Sequence, residues 1–364
     1  MTNEVSLILL PTGTAEVLPP MLIQHKGVWR YMSAPAAGEL QLGVAQLQKM
    51  VNDRLNEAMN ELPVSWKPIE GACQILYNAV VPADAQNILA EVGQGGSSVL
   101  RVHTRRHHDW IPWEIMFDGS SYLGLNFQIA RLPIVDTPLA LSHDQVHTVR
   151  RIRNLLGQEV LDGHTPGLEE AWEVTFDGFV PPAVEFSRLP QVNTPQAAWP
   201  TADDVGDVQQ YDIIHITCHG NVKNNDGETV WALKLHGAAP TRHHINYVWM
   251  GSLNLMPTRP LVFGNACGSA EAGPQSSLSP VFGRDFFAKG AQNFIGSFGP
   301  LSKRLALDFA REFYRRLLLD EGLPIGEALL ATKQHYHAQL VRDDPCYLFY
   351  CLYGPPGTRF ACAE

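Results

Sequence analysis

Apolar residues fall into short blocks with two distinct periods along this chain. The run Val5 to Leu10 is a short strand that stops at Pro11. Between Leu42 and Leu62, the positions Leu47, Val51, Leu55 and Met59 share one helical face, and Pro63 ends the helix. Asp84 to Val92 predicts a second helix, with Asp84 as its N-cap and Gly93 closing it. Ser98 to His103 is a strand, and the apolar segment from Ile111 runs into a turn at Asp118-Gly119. Val146 to Leu156 predicts a helix. Five prolines between Pro181 and Pro200, with little periodicity, predict a loop or linker.

From Tyr211 the pattern sharpens. Asp212 to Cys218 is rich in β-branched residues and suits a central strand buried on both faces. Pro260 to Gly264 is a second such strand and Asn293 to Phe298 a third. Val281 to Ala288 is a helix that turns at Gly290. Ala306, Ala310, Phe313, Tyr314 and Leu317 form the inner stripe of a long helix. Pro324 opens another, which runs to about His337, and Tyr347 to Tyr353 closes the chain as a strand. Strands alternating with helices predict an α/β fold: a mostly parallel sheet covered on both sides. The segments divide into an N-terminal α/β subdomain (1–141), an irregular linker or insertion (142–205) and a C-terminal α/β subdomain (206–364).

Composition narrows the function. The chain has 364 residues, 45% hydrophobic and 18% charged, which is globular. A net charge of −10 argues against nucleic acid or anionic lipid as a direct partner. The first residues show no secretory leader, and no apolar run is long enough to span a membrane, so a cytoplasmic protein is expected. Six scattered cysteines then read as free thiols. None forms a closely spaced pair, so no metal site and no cofactor are expected.

Two residues carry the chemistry. His219 and Cys267 each follow an apolar strand, and each precedes a glycine. Active sites of α/β sheets lie beyond the carboxyl ends of the strands. A thiolate attacks a carbonyl, a nearby imidazole serves it with a proton, and backbone N–H groups of Gly220 and Cys267 are candidates to hold the oxyanion. The two lie 48 positions apart, histidine first. Caspases place a histidine about 50 residues upstream of their cysteine. Cys218 and His215 are assigned to the core, Cys218 because its strand parity is opposite to that of His219.

At these residues the sequence resembles the CHAT-domain family of caspase-like cysteine peptidases, relatives of caspases and separases. Tyr211 to Gly220 resembles the family's histidine strand, and Leu261 to Ser269 its cysteine strand. Phe282 to Gly299, Phe313 to Leu317, Gly326 to Leu329 and Tyr347 to Gly354 are similar to the segments that follow. Upstream, Leu76 to Pro82 and Ile111 to Ile115 resemble its N-terminal segments. The resemblance runs from about residue 70 to 355. It departs at Pro300-Leu301-Ser302-Lys303, where members often carry an acidic pair.

The resemblance implies a caspase-like three-layer α/β/α sandwich and a peptidase acting on protein substrates. It implies latency until a separate activator or sensor protein engages, in a bacterial defence or stress pathway. By analogy with caspases, Ser297-Phe298-Gly299 pairs with the substrate backbone, and Asn265 lies on the floor of the pocket before the scissile bond. Phe298 reads equally well as core. Asp226 and Glu228 are either an acidic pocket wall or a solvated loop, so side-chain preference stays open. The rival function is a scaffold or signalling module that keeps the fold without proteolysis. A nucleophile-elbow hydrolase would require the reverse order of cysteine and histidine.

Overall fold

A computed structural model describes residues 4–11, 18–33, 66–94, 98–134, 145–157, 181–189, 210–223, 229–234, 244–245, 253–270, 282–319, 322–339 and 344–364, with helical positions 46, 49, 50, 53, 250 and 251. The first half contributes β1 (Glu4–Leu9), β2 (Met21–His25), β3 (Val28–Met32), α1 (Trp66–Val80), α2 (Ala83–Gly93), β4 (Ser98–Thr104) and β5 (Phe127–Pro133). Then come β6 (Val146–Val149), β7 (Arg151–Leu156) and β8 (Glu185–Leu189). The remainder holds β9 (Ile213–Thr217), β10 (His219–Lys223), β11 (Thr229–Lys234), β12 (His244–Ile245), β13 (Leu261–Asn265), α3 (Phe282–Ala288) and β14 (Asn293–Ser297). It ends with α4 (Lys303–Leu318), α5 (Ile325–Gln339), β15 (Tyr350–Tyr353) and β16 (Arg359–Cys362).

One sheet of eleven strands organises the molecule, in the order β3-β2-β1-β4-β5-β15-β14-β13-β9-β7-β8. Its pairings are parallel except β1–β2, β2–β3 and β14–β15. The central strands are apolar on both faces because both faces are covered. Ile213, Leu261, Phe263 and Ile295 join a core with Ile69, Leu76, Leu89, Phe309, Phe313 and Leu329 from α1, α2, α4 and α5. Their neighbours Ile214, Ile216, Val262 and Phe294 join a second core with Phe282 and Phe286 of α3 and with Leu253 and Leu255. Alternation along each strand thus divides the side chains between two helical layers, the α/β/α arrangement expected. The stripe Ala306, Ala310, Phe313, Tyr314 and Leu317 is buried as its spacing predicts.

Several expectations need correction. Val146 to Leu156 is not a helix: it is β6 and β7, bent at Arg150. The spacing of Val149, Ile152 and Leu156 suits a helix, but pairing decides it, since β7 lies between β8 and β9. The described parts of 142–205 include the strands β6, β7 and β8. The three expected segments share one sheet, with β5 paired to β15 and β7 to β9. Tyr347 to Phe349 is not strand either. Pro345–Phe349 forms a 3₁₀ turn, capped by the Asp344 carboxylate, which accepts the Cys346 N–H. Asp84 lies in the first turn of α2 and does not cap it. Helix α1 has no counterpart in the sequence reading, although Ile69, Cys73, Leu76, Tyr77 and Val80 make a regular buried stripe. The positions Leu47, Val51, Leu55 and Met59 lie outside the described residues. No helix among the described residues is long and apolar enough to cross a membrane.

Two buried ion pairs brace the sheet, one within its first half and one between its halves. Arg131 meets Glu114 through Nε at 3.1 Å, with both side chains sealed from solvent. Arg284 of α3 binds the Asp109 carboxylate and donates to the Thr104 carbonyl at 2.6 Å and the Ile134 carbonyl at 3.1 Å. Burial opposes the Arg284 charge, but Asp109 more than offsets it and holds its pKa above the usual value. We expect Asp109→Ala to leave that guanidinium buried and unpaired, at a cost of about 3–5 kcal/mol in denaturant unfolding. A loss below about 1 kcal/mol would show that the pair is not a structural clasp.

Candidate active site

Strands β9 and β13 are parallel neighbours, with Phe263 opposite His215 and Asn265 opposite Thr217. The register offset is 48, the same as the spacing between His219 and Cys267. Each of these two residues therefore sits two positions past the last matched pair, at one rim of the sheet. Beyond Thr217 the chain bends at Cys218 and enters β10, which pairs with β11.

The backbones of the two loops touch. A Cβ added at Gly220 would lie 1.8 Å from the Cys267 carbonyl oxygen. Only glycine permits that approach. The room left by Gly220 is thus filled by the cysteine turn itself. That turn is tightly held. Ser269 N–H donates to the Ala266 carbonyl at 3.1 Å, Ala270 N–H to Ser297 at 2.8 Å and Gly268 N–H to Gly299 at 3.1 Å. Gly268 has φ +63°, a left-handed conformation natural to glycine.

Cys267 is half-buried. Its sulfur accepts the Leu301 N–H at 3.3 Å. Burial pushes the thiol above its usual pKa, while the Leu301 N–H and the N–H of Cys267 itself pull it partly back.

The expected substrate-binding residues are engaged within the fold. Asn265 is buried, donating to the Ala306 carbonyl at 3.0 Å and accepting the Tyr350 hydroxyl at 2.7 Å. Ser297 is buried: its N–H donates to Ser269 Oγ at 2.9 Å and its hydroxyl to the Gly299 carbonyl at 2.9 Å. Phe298 N–H donates to the Phe349 carbonyl at 3.1 Å, and Gly299 N–H to Ser297 Oγ at 3.2 Å. Phe298 is half-buried, its ring 5.4 Å from that of Phe349. The segment is tied inward, and its backbone donors are already taken. Asp226 and Glu228 lie outside the described residues.

Cys218 and His215 are core residues as expected, Cys218 by its parity and His215, which shares the parity of His219, by its place further inside the strand. Cys218 is buried in the second core and burial pushes its thiol up. His215 lies between the Tyr314 hydroxyl at 3.1 Å and the Thr217 hydroxyl at 3.0 Å. Burial lowers its pKa to about 3, so it stays neutral. The strap Pro300 to Ser302, which touches the Cys267 sulfur, was missed from sequence. Its contact is made by a backbone N–H, which no residue type announces.

Two crystal structures of the Saccharomyces cerevisiae separase–securin complex match the chain with TM-scores of 0.57 and 0.59, each at 10% identity. Each match covers 99% of this chain and 30% of the separase chain, so the chain spans under a third of that protein. The Arg-specific cysteine proteinase gingipain R matches at 12% identity with a TM-score of 0.45, over 86% of this chain and 74% of its own. No curated protein matches the sequence. The separase match shows a shared fold, and the CHAT domain model matches residues 70–347. The chain belongs to the CHAT-domain family and has the α/β fold of the caspase-like cysteine peptidases.

Proposed function

We propose that the chain is a cysteine endopeptidase in which Cys267 is the nucleophile and His219 its proton-transfer partner. The observation that carries this is the shared offset of 48 between strand register and residue spacing, together with the contact between Gly220 and the Cys267 carbonyl. In this reading His219 takes the Cys267 proton, and the thiolate attacks the scissile carbonyl carbon. The Cys267 N–H, with Gly220 as the second candidate donor, holds the oxyanion. Collapse breaks the C–N bond as His219 protonates the leaving amine, and water then hydrolyses the thioester to a free carboxylate.

The resting site supports latency. A half-buried thiol whose pKa is raised is a poor nucleophile. The inward ties of Ser297 to Gly299 leave no free backbone donor in that segment for a substrate strand. Substrate pairing along it would therefore require rearrangement, which a separate activator or sensor protein would drive. A role in bacterial defence or stress follows the family resemblance, as does action on protein substrates. The scaffold alternative is favoured by the same raised thiol pKa, and activity decides between them.

With candidate activators present, Cys267→Ala reduces protein cleavage to background. His219→Ala lowers kcat/KM at least about a hundredfold. Both variants keep the parent's thermal midpoint within a few degrees. Cleaved ends identified by mass spectrometry give the readout, and retained cleavage in either variant overturns the assignment. In the resting chain, alkylation of Cys267 by iodoacetamide rises with pH to a midpoint above the ordinary thiol value of about 8.5. A midpoint below 7 without a partner would contradict latency by burial.

A further inference from the structure

We propose that Ser302 and Asp344 are positioning residues for Cys267: their hydrogen bond clamps the strap Pro300 to Ser302 so that the Leu301 N–H is aimed at the sulfur. This rests on Cys267 being the nucleophile of the proposed peptidase.

The clamp is built from both ends of the strap. Asp344 Oδ2 accepts the Ser302 hydroxyl at 2.6 Å, and Oδ1 accepts the Cys346 N–H at 3.0 Å. The fully buried Cys346 thiol accepts the Ser302 N–H at 3.2 Å and donates to the Pro300 carbonyl at 3.4 Å. Two thiols thus grip adjacent peptide groups of one strap. Cys346 holds the flanks, and Cys267 receives the central N–H at 3.3 Å. The Leu301 side chain packs on the first core and anchors the middle.

Ser302 shows what the arrangement gives up. It immediately precedes α4, where a serine hydroxyl ordinarily accepts an N–H of the first helical turn. Here it makes no such bond and turns to Asp344 instead. Loss of its hydroxyl therefore loosens the strap without uncapping the helix.

Among the described side chains, the other titratable groups that sense Cys267 supply no positive charge. Cys218, Cys346 and Tyr350 all sense its charge, and burial pushes each of their pKa values up, so they stay protonated and neutral. Asp344 faces the strap from the far side. His219 opens β10, one residue after the bend at Cys218. Of the two backbone N–H groups that favour the thiolate, that of Leu301 is the one whose aim depends on the clamp.

The test is the pH dependence of Cys267 alkylation by iodoacetamide in the full chain, read by peptide mass spectrometry, with half-buried Cys362 as internal reference. Ser302→Ala and Asp344→Asn are expected to raise the Cys267 midpoint by about one unit, which slows alkylation at pH 8 about tenfold. Ser302→Thr keeps the hydroxyl and should match the parent. An unchanged midpoint overturns the clamp. So does a lowered midpoint, which would make the strap a mere cover. A parallel change at Cys362 would also overturn it, marking general loosening. The readout needs no proteolysis: a chain that shifts as expected but cuts no protein keeps the clamp and loses the peptidase.

Discussion

The register between β9 and β13 is the constraint on which the site depends. Parallel strands about 5 Å apart have one side chain per face every two residues. A slip of one position would turn every side chain of a strand to the other face. Here Ile213 and Phe263 face one helical layer while Ile214 and Val262 face the other. Burial on both faces therefore fixes the register strongly. That register carries past the strand ends and sets the histidine loop against the cysteine turn, where Gly220 meets the Cys267 carbonyl.

The site is supported from both sides of the sheet. Beneath it, Asn265 links Tyr350 on β15 to the start of α4, and Ser269 links the cysteine turn to Ser297. Such buried amides and hydroxyls are satisfied, so they stiffen the rim. On the far side, α3 follows the cysteine turn in the chain and is fastened by Arg284 to Asp109.

Much of this was legible in the sequence because it is local. Long apolar runs made β9, β13 and β14 plain, and a regular stripe made α4 plain. Strand parity separated Cys218 from the rim, and a place deeper in β9 separated His215. What was not legible depends on distant partners. Strand β7 interrupts its apolar residues with Arg151, Arg153 and Asn154, and its state is set by the strands on either side. Asn265 looks like a pocket residue by type, yet its partners are Ala306 and Tyr350. The strap at Leu301 acts through a peptide N–H, and its clamp joins residues 42 positions apart. No local pattern encodes such a contact.

The most direct measurement is a crystal structure of the chain alkylated by a peptidyl electrophile. The expected result is a thioether at Cys267, an imidazole nitrogen of His219 within about 4 Å of that sulfur, and the adduct's carbonyl oxygen facing the Cys267 N–H. An adduct at another cysteine, or a His219 ring turned away to a different rim, would contradict it.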